Sequence, residues 1–226
     1  VCSSDLSRNS VTEPDRSPSA HPTPASTQHG GTVTVLGAGP SGLAAAITLA
    51  RAGRSVRVIE QRSDVGGRYD GNLQMLTNYP DDLDALAELA DILGTEHPLP
   101  DTWPQYRADL YGPSGNLSRV KSELPFGYML QRGPDATALD GALRDAATSV
   151  GVEFQFGERG HPADVDIVAT GGRRVQGVAR EWYGSVDLPD GFHVRFDARV
   201  CPGGYGYLLV ADGRAVLGAA VVREQK

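Results

Sequence analysis

The strongest constraint on how this chain folds is a glycine-rich turn, Gly37-Ala38-Gly39-Pro40-Ser41-Gly42, set between a β-branched run and an alanine-rich stretch. Val33-Thr34-Val35-Leu36 before it has strand character, and Ser41 to Ala52 after it has high helix propensity. Gly53 stops the helix, and Ser55-Val56-Arg57-Val58-Ile59-Glu60 resumes strand character. The spacing predicts a βαβ unit of about 28 residues from Val33 to Glu60, the length that a dinucleotide-binding unit requires. A right-handed crossover then sets its two strands parallel and adjacent.

Each glycine has a separate physical task in such a turn. Gly37 permits the tight passage from strand to helix, Gly39 lets backbone amides approach a pyrophosphate, and Gly42 lets the helix pack close to the strand. The phosphate sits on the positive end of the helix dipole. Glu60 follows Gly42 by about 18 residues, at the end of the second strand, where a carboxylate accepts ribose hydroxyls. Its charge opposes a 2′-phosphate and so disfavours NADP at this site. FAD and NAD both remain compatible with these residues.

The rest of the chain extends an α/β reading with a parallel sheet. Between Ser63 and Arg107 it is loop-rich, except that Leu83, Leu86, Leu89, Ala90 and Leu93 predict an amphipathic helix over Asp81 to Leu93. Tyr106 to Tyr111 and Leu117 to Lys121, separated by Gly112-Pro113-Ser114-Gly115-Asn116, predict a hairpin. A further helix is expected over Thr137 to Val150, then strands at Phe154-Gln155-Phe156 and Val165 to Ala169 returning to the nucleotide-binding sheet. Beyond Gly172, Val175 to Tyr183, Phe192 to Phe196, Tyr205 to Val210 and Ala215 to Val222 predict an antiparallel sheet. The expected division is a disordered tail at 1–31, a Rossmann-like domain at 32–104 and 126–172, and a β-rich substrate domain from the inserted hairpin 105–125 and from 173–226. Residues 1–31 are mostly Ser, Thr, Pro and charged residues with little to bury. Val1-Cys2-Ser3-Ser4-Asp5-Leu6 is similar to translated adapter sequence, so part of that tail is expected to be artefact.

Gly37-Ala38-Gly39-Pro40-Ser41-Gly42, then Glu60-Gln61-Arg62, then Gly66-Gly67-Arg68, resembles the N-terminal signature of the FAD-dependent oxidoreductases of the glutathione-reductase fold superfamily. The resemblance implies that Pro40, Ser41, Gln61 and Arg62 join the three glycines and Glu60 in holding FAD. It also brings Gly67 and Arg68 to the pyrophosphate and ribose; a surface turn with a solvated arginine is the competing reading of those two. Asp166-Ile167-Val168-Ala169-Thr170-Gly171-Gly172 is similar to the segment where the chain leaves a strand near the flavin, which implies cofactor contacts from Thr170 and Gly171. Gln131-Arg132-Gly133 is similar to the stretch that sends an arginine, here Arg132, towards the cofactor; an exposed arginine paired with Asp135 or Asp140 is the alternative.

No cysteine pair stands between Gly67 and Val200, which excludes the disulfide reductases of that superfamily. Cys201-Pro202-Gly203-Gly204-Tyr205-Gly206-Tyr207-Leu208 is similar to the Pro-Gly-Gly-Tyr-Gly-aromatic element of the geranylgeranyl reductase-like family, with Tyr207 where a tryptophan is usual. The resemblance implies that Gly204, Tyr205 and Tyr207 line the substrate cavity, and that reduced flavin delivers hydride to a double bond of an isoprenoid lipid. NAD(P)H is the electron donor expected by the same resemblance. An aromatic-hydroxylase type of flavin monooxygenase and a non-catalytic prenyl-lipid carrier are the alternatives. The family's Gly-Asp segment that closes on the flavin is not found before Lys226, so the chain is expected to stop within its substrate domain. No Ser-His-Asp or paired-carboxylate constellation names a catalytic residue.

Charge and composition exclude other classes. A net charge of −7 and a pI near 5.2 argue against a nucleic-acid partner, which needs a basic surface. The two cysteines and five histidines show no ligand spacing, so no metal is expected. Few cysteines fit a reducing, cytoplasmic setting. No apolar run reaches the roughly 20 residues of a spanning helix, so partners are expected to be a small molecule or lipid, with at most peripheral membrane contact.

Overall fold

The computed structural model describes residues 31–78, 84–94, 99, 101–171 and 177–222. Residues 1–30 of the tail expected at 1–31, the start of the helix at Asp81 and the start of the strand at Val175 lie outside them.

Strand β1 (Val33–Leu36), helix α1 (Pro40–Arg51) and strand β2 (Val56–Glu60) form the expected parallel unit, with Val33 opposite Val56 and Leu36 opposite Ile59. After β2 come β3 (Leu73–Thr77), α2 (Ala85–Leu93), β4 (Thr102–Gln105), β5 (Arg107–Tyr111), β6 (Leu117–Lys121) and β7 (Gly127–Gln131). Helix α3 (Leu139–Ser149), β8 (Glu153–Phe156) and β9 (Ile167–Val168) follow. The chain closes with β10 (Gly177–Ser185), β11 (Gly191–Arg195), β12 (Tyr205–Ala211) and β13 (Arg214–Val222).

The first sheet is parallel, in the order β8-β2-β1-β9. From β1 the chain moves outward on one side to β2 and β8, then returns on the other side as β9. A crevice therefore opens beyond the carboxyl end of β1, where the strand order reverses and where open α/β sheets take ligands. Val35 and Val58 of this sheet are fully buried with Leu43 and Ile47 of α1 and Leu143 and Ala147 of α3. The four-residue steps Leu43–Ile47 and Leu143–Ala147 place each pair on one helical face. Burying each large aliphatic side chain contributes about 1.5–3 kcal/mol.

Three strands, β3, β4 and β7, were not anticipated. β3 and β4 flank β7 in a small antiparallel sheet; both come from Ser63 to Arg107, expected to be loop-rich apart from its helix. A six-stranded sheet, β10-β13-β12-β11-β5-β6, is antiparallel except at one seam. There β11 runs parallel to β5, with His193 opposite Asp109, which corrects the expectation of a wholly antiparallel sheet. The small sheet packs on one face of the large one through Leu73, Met129, Leu209, Ala211 and Val216. On the opposite face Trp182 and Leu217 are exposed. No helix among the described residues is long and apolar enough to cross a membrane.

Candidate functional site

The glycine-rich turn leaves β1 through Gly37, whose φ of +106° is closed to other residues at little strain. A side chain at Gly37 would also stand 2.7 Å from the carbonyl oxygen of Ala169 at the end of β9. A side chain at Gly42 would run into the Gly37 carbonyl, so this residue sets how closely α1 lies to the turn. Gly39 differs from both: a side chain there would meet nothing within 4 Å. Gly39 is also the N-cap of α1, Pro40 opens the helix, no side chain caps the first turn and no acidic residue stands in it. The positive end of α1 is thus left open to an anion arriving over Gly39.

Glu60 closes one wall. Its Oε2 accepts from the Ala38 amide at 2.9 Å and its Oε1 from the Arg62 amide at 2.9 Å. These bonds fix the carboxylate against the glycine turn, and each oxygen keeps a further lone pair for a ribose hydroxyl. Gly37, Gly39, Pro40, Ser41, Glu60, Gln61, Arg62, Gly67, Arg68, Arg132, Thr170 and Gly171 all line one cleft of about 640 Å³. Of the residues expected to hold the cofactor, only Gly42 stands behind its wall.

Arg132 lines the cleft while its guanidinium is committed elsewhere. Nε and Nη2 donate to the two oxygens of Asp140 at 2.7 and 2.8 Å, and Nη1 donates to Gln74. Asp140 is fully buried and also accepts from the Gly133 amide. Of the two competing readings, pairing with Asp140 describes the side chain, although the pair is buried rather than exposed. Removing one member of a buried, hydrogen-bonded pair costs about 3–5 kcal/mol. Arg132 therefore shapes the cleft floor, and Arg62, Arg68 and Arg159 supply cations along its lining.

Several lining residues were not anticipated. Glu158, Arg159 and Gly160 enter after β8 because the Gly157 amide donates to the Arg62 carbonyl and the Glu158 amide to that of Glu60. The position of Phe154-Gln155-Phe156 beside β2 was the available signal for them. Tyr69 stands at the cleft between Arg68 and Arg132, whose guanidinium carbons lie 5.1 and 5.0 Å from its ring centre. Cation–π contacts of this kind hold an aromatic ring in place.

Of the expected cavity residues, Tyr205 and Tyr207 lie on the large sheet and Gly204 in the turn before β12, and none of the three lines this cleft. Gly204 abuts the Ala220 carbonyl, a packing role. Tyr205 is 43% exposed, with its ring centre 5.9 Å from that of Tyr207. The Tyr207 hydroxyl donates to Glu181; burial first, then this carboxylate, hold the phenol well above its ordinary pKa. A second cavity of about 650 Å³ opens beside β5 and β6, lined by Trp103, Tyr106, Arg107, Lys121 and Phe192, where no site residue was expected.

A family model for NAD(P)-binding Rossmann-like domains matches residues 35–74, the segment that carries the glycine turn, Glu60 and Gly66-Gly67-Arg68. Over 83 residues the chain is 45% identical to putrescine oxidase of Kocuria rosea, a match covering 33% of this chain and 16% of that protein. A geranylgeranyl bacteriochlorophyll reductase-like protein of Thermoplasma acidophilum superposes with a TM-score of 0.61 at 20% identity, over 85% of this chain and 57% of that one. CtdE, solved in complex with FAD, superposes with a TM-score of 0.53 at 14% identity, over 86% of this chain and 60% of the other. The chain spans less than two thirds of the length of each of these proteins. The superpositions establish an α/β fold with a Rossmann-like parallel sheet and added antiparallel strands, a fold in which FAD-binding proteins are built.

Proposed function

We propose that this chain is the cofactor-binding part of an FAD-dependent oxidoreductase, and that its cleft holds the ADP portion of FAD. The observation that carries this reading is the uncapped start of α1, with Gly39 facing open space and the Glu60 carboxylate fixed beside it. In this reading the first-turn amides take the pyrophosphate and Glu60 the ribose hydroxyls, while Arg62 and Arg68 offset the phosphate charge. The match to an oxidase over 83 residues and the FAD complex of a protein with the same fold support it. When bound, FAD supplies hydride transfer, and NAD(P)H is the proposed electron donor. The substrate in this reading is unsaturated and isoprenoid-like, and meets the cofactor between the cleft and the large sheet.

The test is a titration of the cofactor-stripped chain with FAD, FMN and NAD, followed by flavin absorbance or by heat. FAD is expected to bind and FMN, which lacks the ADP portion, to bind far more weakly. Glu60→Gln is expected to weaken FAD by about tenfold, the loss of one charge-assisted hydrogen-bond set. Binding of NAD in preference to FAD, or equal binding of FMN, would overturn the reading.

A further inference from the structure

Tyr207, Gly218 and Glu181 stand in one row across three strands, as successive partners in β12, β13 and β10. Because the middle residue is glycine, the Tyr207 ring occupies the space a side chain there would fill and its hydroxyl reaches Glu181 on the far strand. From the other side Asn72, on the turn that follows Tyr69, donates Nδ2 to the second carboxylate oxygen at 2.8 Å. Each oxygen of Glu181 thus accepts one hydrogen bond from a neutral donor. Two kinds of acceptor are left over: the free lone pairs of the carboxylate, and Oδ1 of Asn72, which takes no hydrogen bond among the described residues although Asn72 is 2% exposed. None of the ion pairs of the described residues involves Glu181.

Aromatic faces surround this half-buried carboxylate. Tyr183 shares the Glu181 side of β10 and its ring edge comes within 3.9 Å of the side-chain position at Gly71. Tyr205 stands beside Tyr207, between it and Phe196. Both Tyr183 and Tyr205 are exposed, at 59% and 43%. A carboxylate with no cation paired to it among the described residues, an acceptor with no donor and accessible π faces complement a group that carries positive charge and several N–H bonds. An anion meets the carboxylate charge here, whereas a cation is drawn to it.

We propose that Glu181, with Asn72 and the tyrosines around it, is a recognition site for an ammonium group, so that the substrate presents a cationic amine beside the Tyr69 end of the cleft. Its place as a substrate site rests on the flavin reading of that cleft; the binding of an amine does not. The competing role for the same contacts is a latch between the two β-sheets, and the two roles separate by experiment.

Calorimetric titration of the full chain with hexylammonium is compared with hexanol and hexanoate, which share its length but not its charge. Hexylammonium is expected to bind and the other two to bind at least about tenfold more weakly. Glu181→Gln, which keeps shape and hydrogen-bonding capacity, is expected to weaken hexylammonium by about tenfold or more, while Tyr207→Phe, which keeps the charge, changes it by less than about threefold. Tyr183→Leu, at an exposed position, is expected to weaken it too and serves where Glu181→Gln does not fold by circular dichroism. Equal binding of hexanol, no binding of hexylammonium, or an unchanged affinity in both Glu181→Gln and Tyr183→Leu would overturn the proposal. Since no flavin is read in this titration, FAD binding without amine binding removes the ammonium site alone, and amine binding without FAD removes the flavin reading alone.

Discussion

Gly39 and Gly42 stand three residues apart in one turn and answer to different demands. The side-chain position at Gly42 is filled by the Gly37 carbonyl, whereas that at Gly39 is empty space over the helix start. Gly42→Ala is therefore expected to lower stability by about 1–3 kcal/mol, the range of overpacked positions, in denaturant unfolding of the cofactor-free chain. Gly39→Ala is expected to change it by less than about 0.5 kcal/mol and to weaken FAD sharply, because its methyl group enters the space of the pyrophosphate. Equal effects of the two on stability would show that Gly39 also packs. The glycine spacing was legible in the sequence because it is local. The row from Tyr207 through Gly218 to Glu181 was not, because its three members come from three strands and only the register of β10 with β13 and β12 aligns them.

The same contrast holds among the elements. β1, α1 and β2 could be read because a β-branched run, an alanine-rich run and a second β-branched run follow one another with turn residues between them. β3 is Leu-Gln-Met-Leu-Thr, with no clean alternation, and β4 carries Pro104, which removes an amide. Both are strands because β7, buried from Gly127 to Leu130, lies between them, and β4 tolerates proline as the outer strand of that sheet. The segment between β11 and β12 is an element held by charge. Asp197 accepts from Arg199 and Arg195, and Arg199 also donates to the Pro113 carbonyl in the β5–β6 turn. Arg199 chiefly, then Arg195, hold the Asp197 carboxyl well below the usual carboxylate range. A depressed native pKa contributes stability that is fully present above the unfolded value of about 4 and is lost as the pH falls from there towards the native value. Asp197→Asn is accordingly expected to lower the melting temperature at pH 7 and to lose that deficit progressively below about pH 4. A deficit that stays constant down to pH 2 would assign its effect to packing instead.

At the scale of the molecule, the parallel sheet and the large sheet meet through the turn that carries both Tyr69 and Asn72, one at the cleft and the other at Glu181. Protection should be uneven across the large sheet. β12 has a partner on each side and buries Leu209, Val210 and Ala211, whereas every residue of β6 is exposed and only β5 pairs with it. Native-state hydrogen exchange is expected to show β6 amides exchanging about a hundredfold or more faster than those of β12, and equal protection would mean that β6 is covered in solution. The parallel seam between β5 and β11 also fixes an order of events when the chain is made. The β5–β6 hairpin leaves the ribosome with everything from Ser122 to Asp190 still to come on the way to its partner strand, and β5 must wait with an open edge. Arg107 and Asp109 put charge on that waiting strand, and charge on an open edge disfavours pairing between half-made neighbours on a polysome.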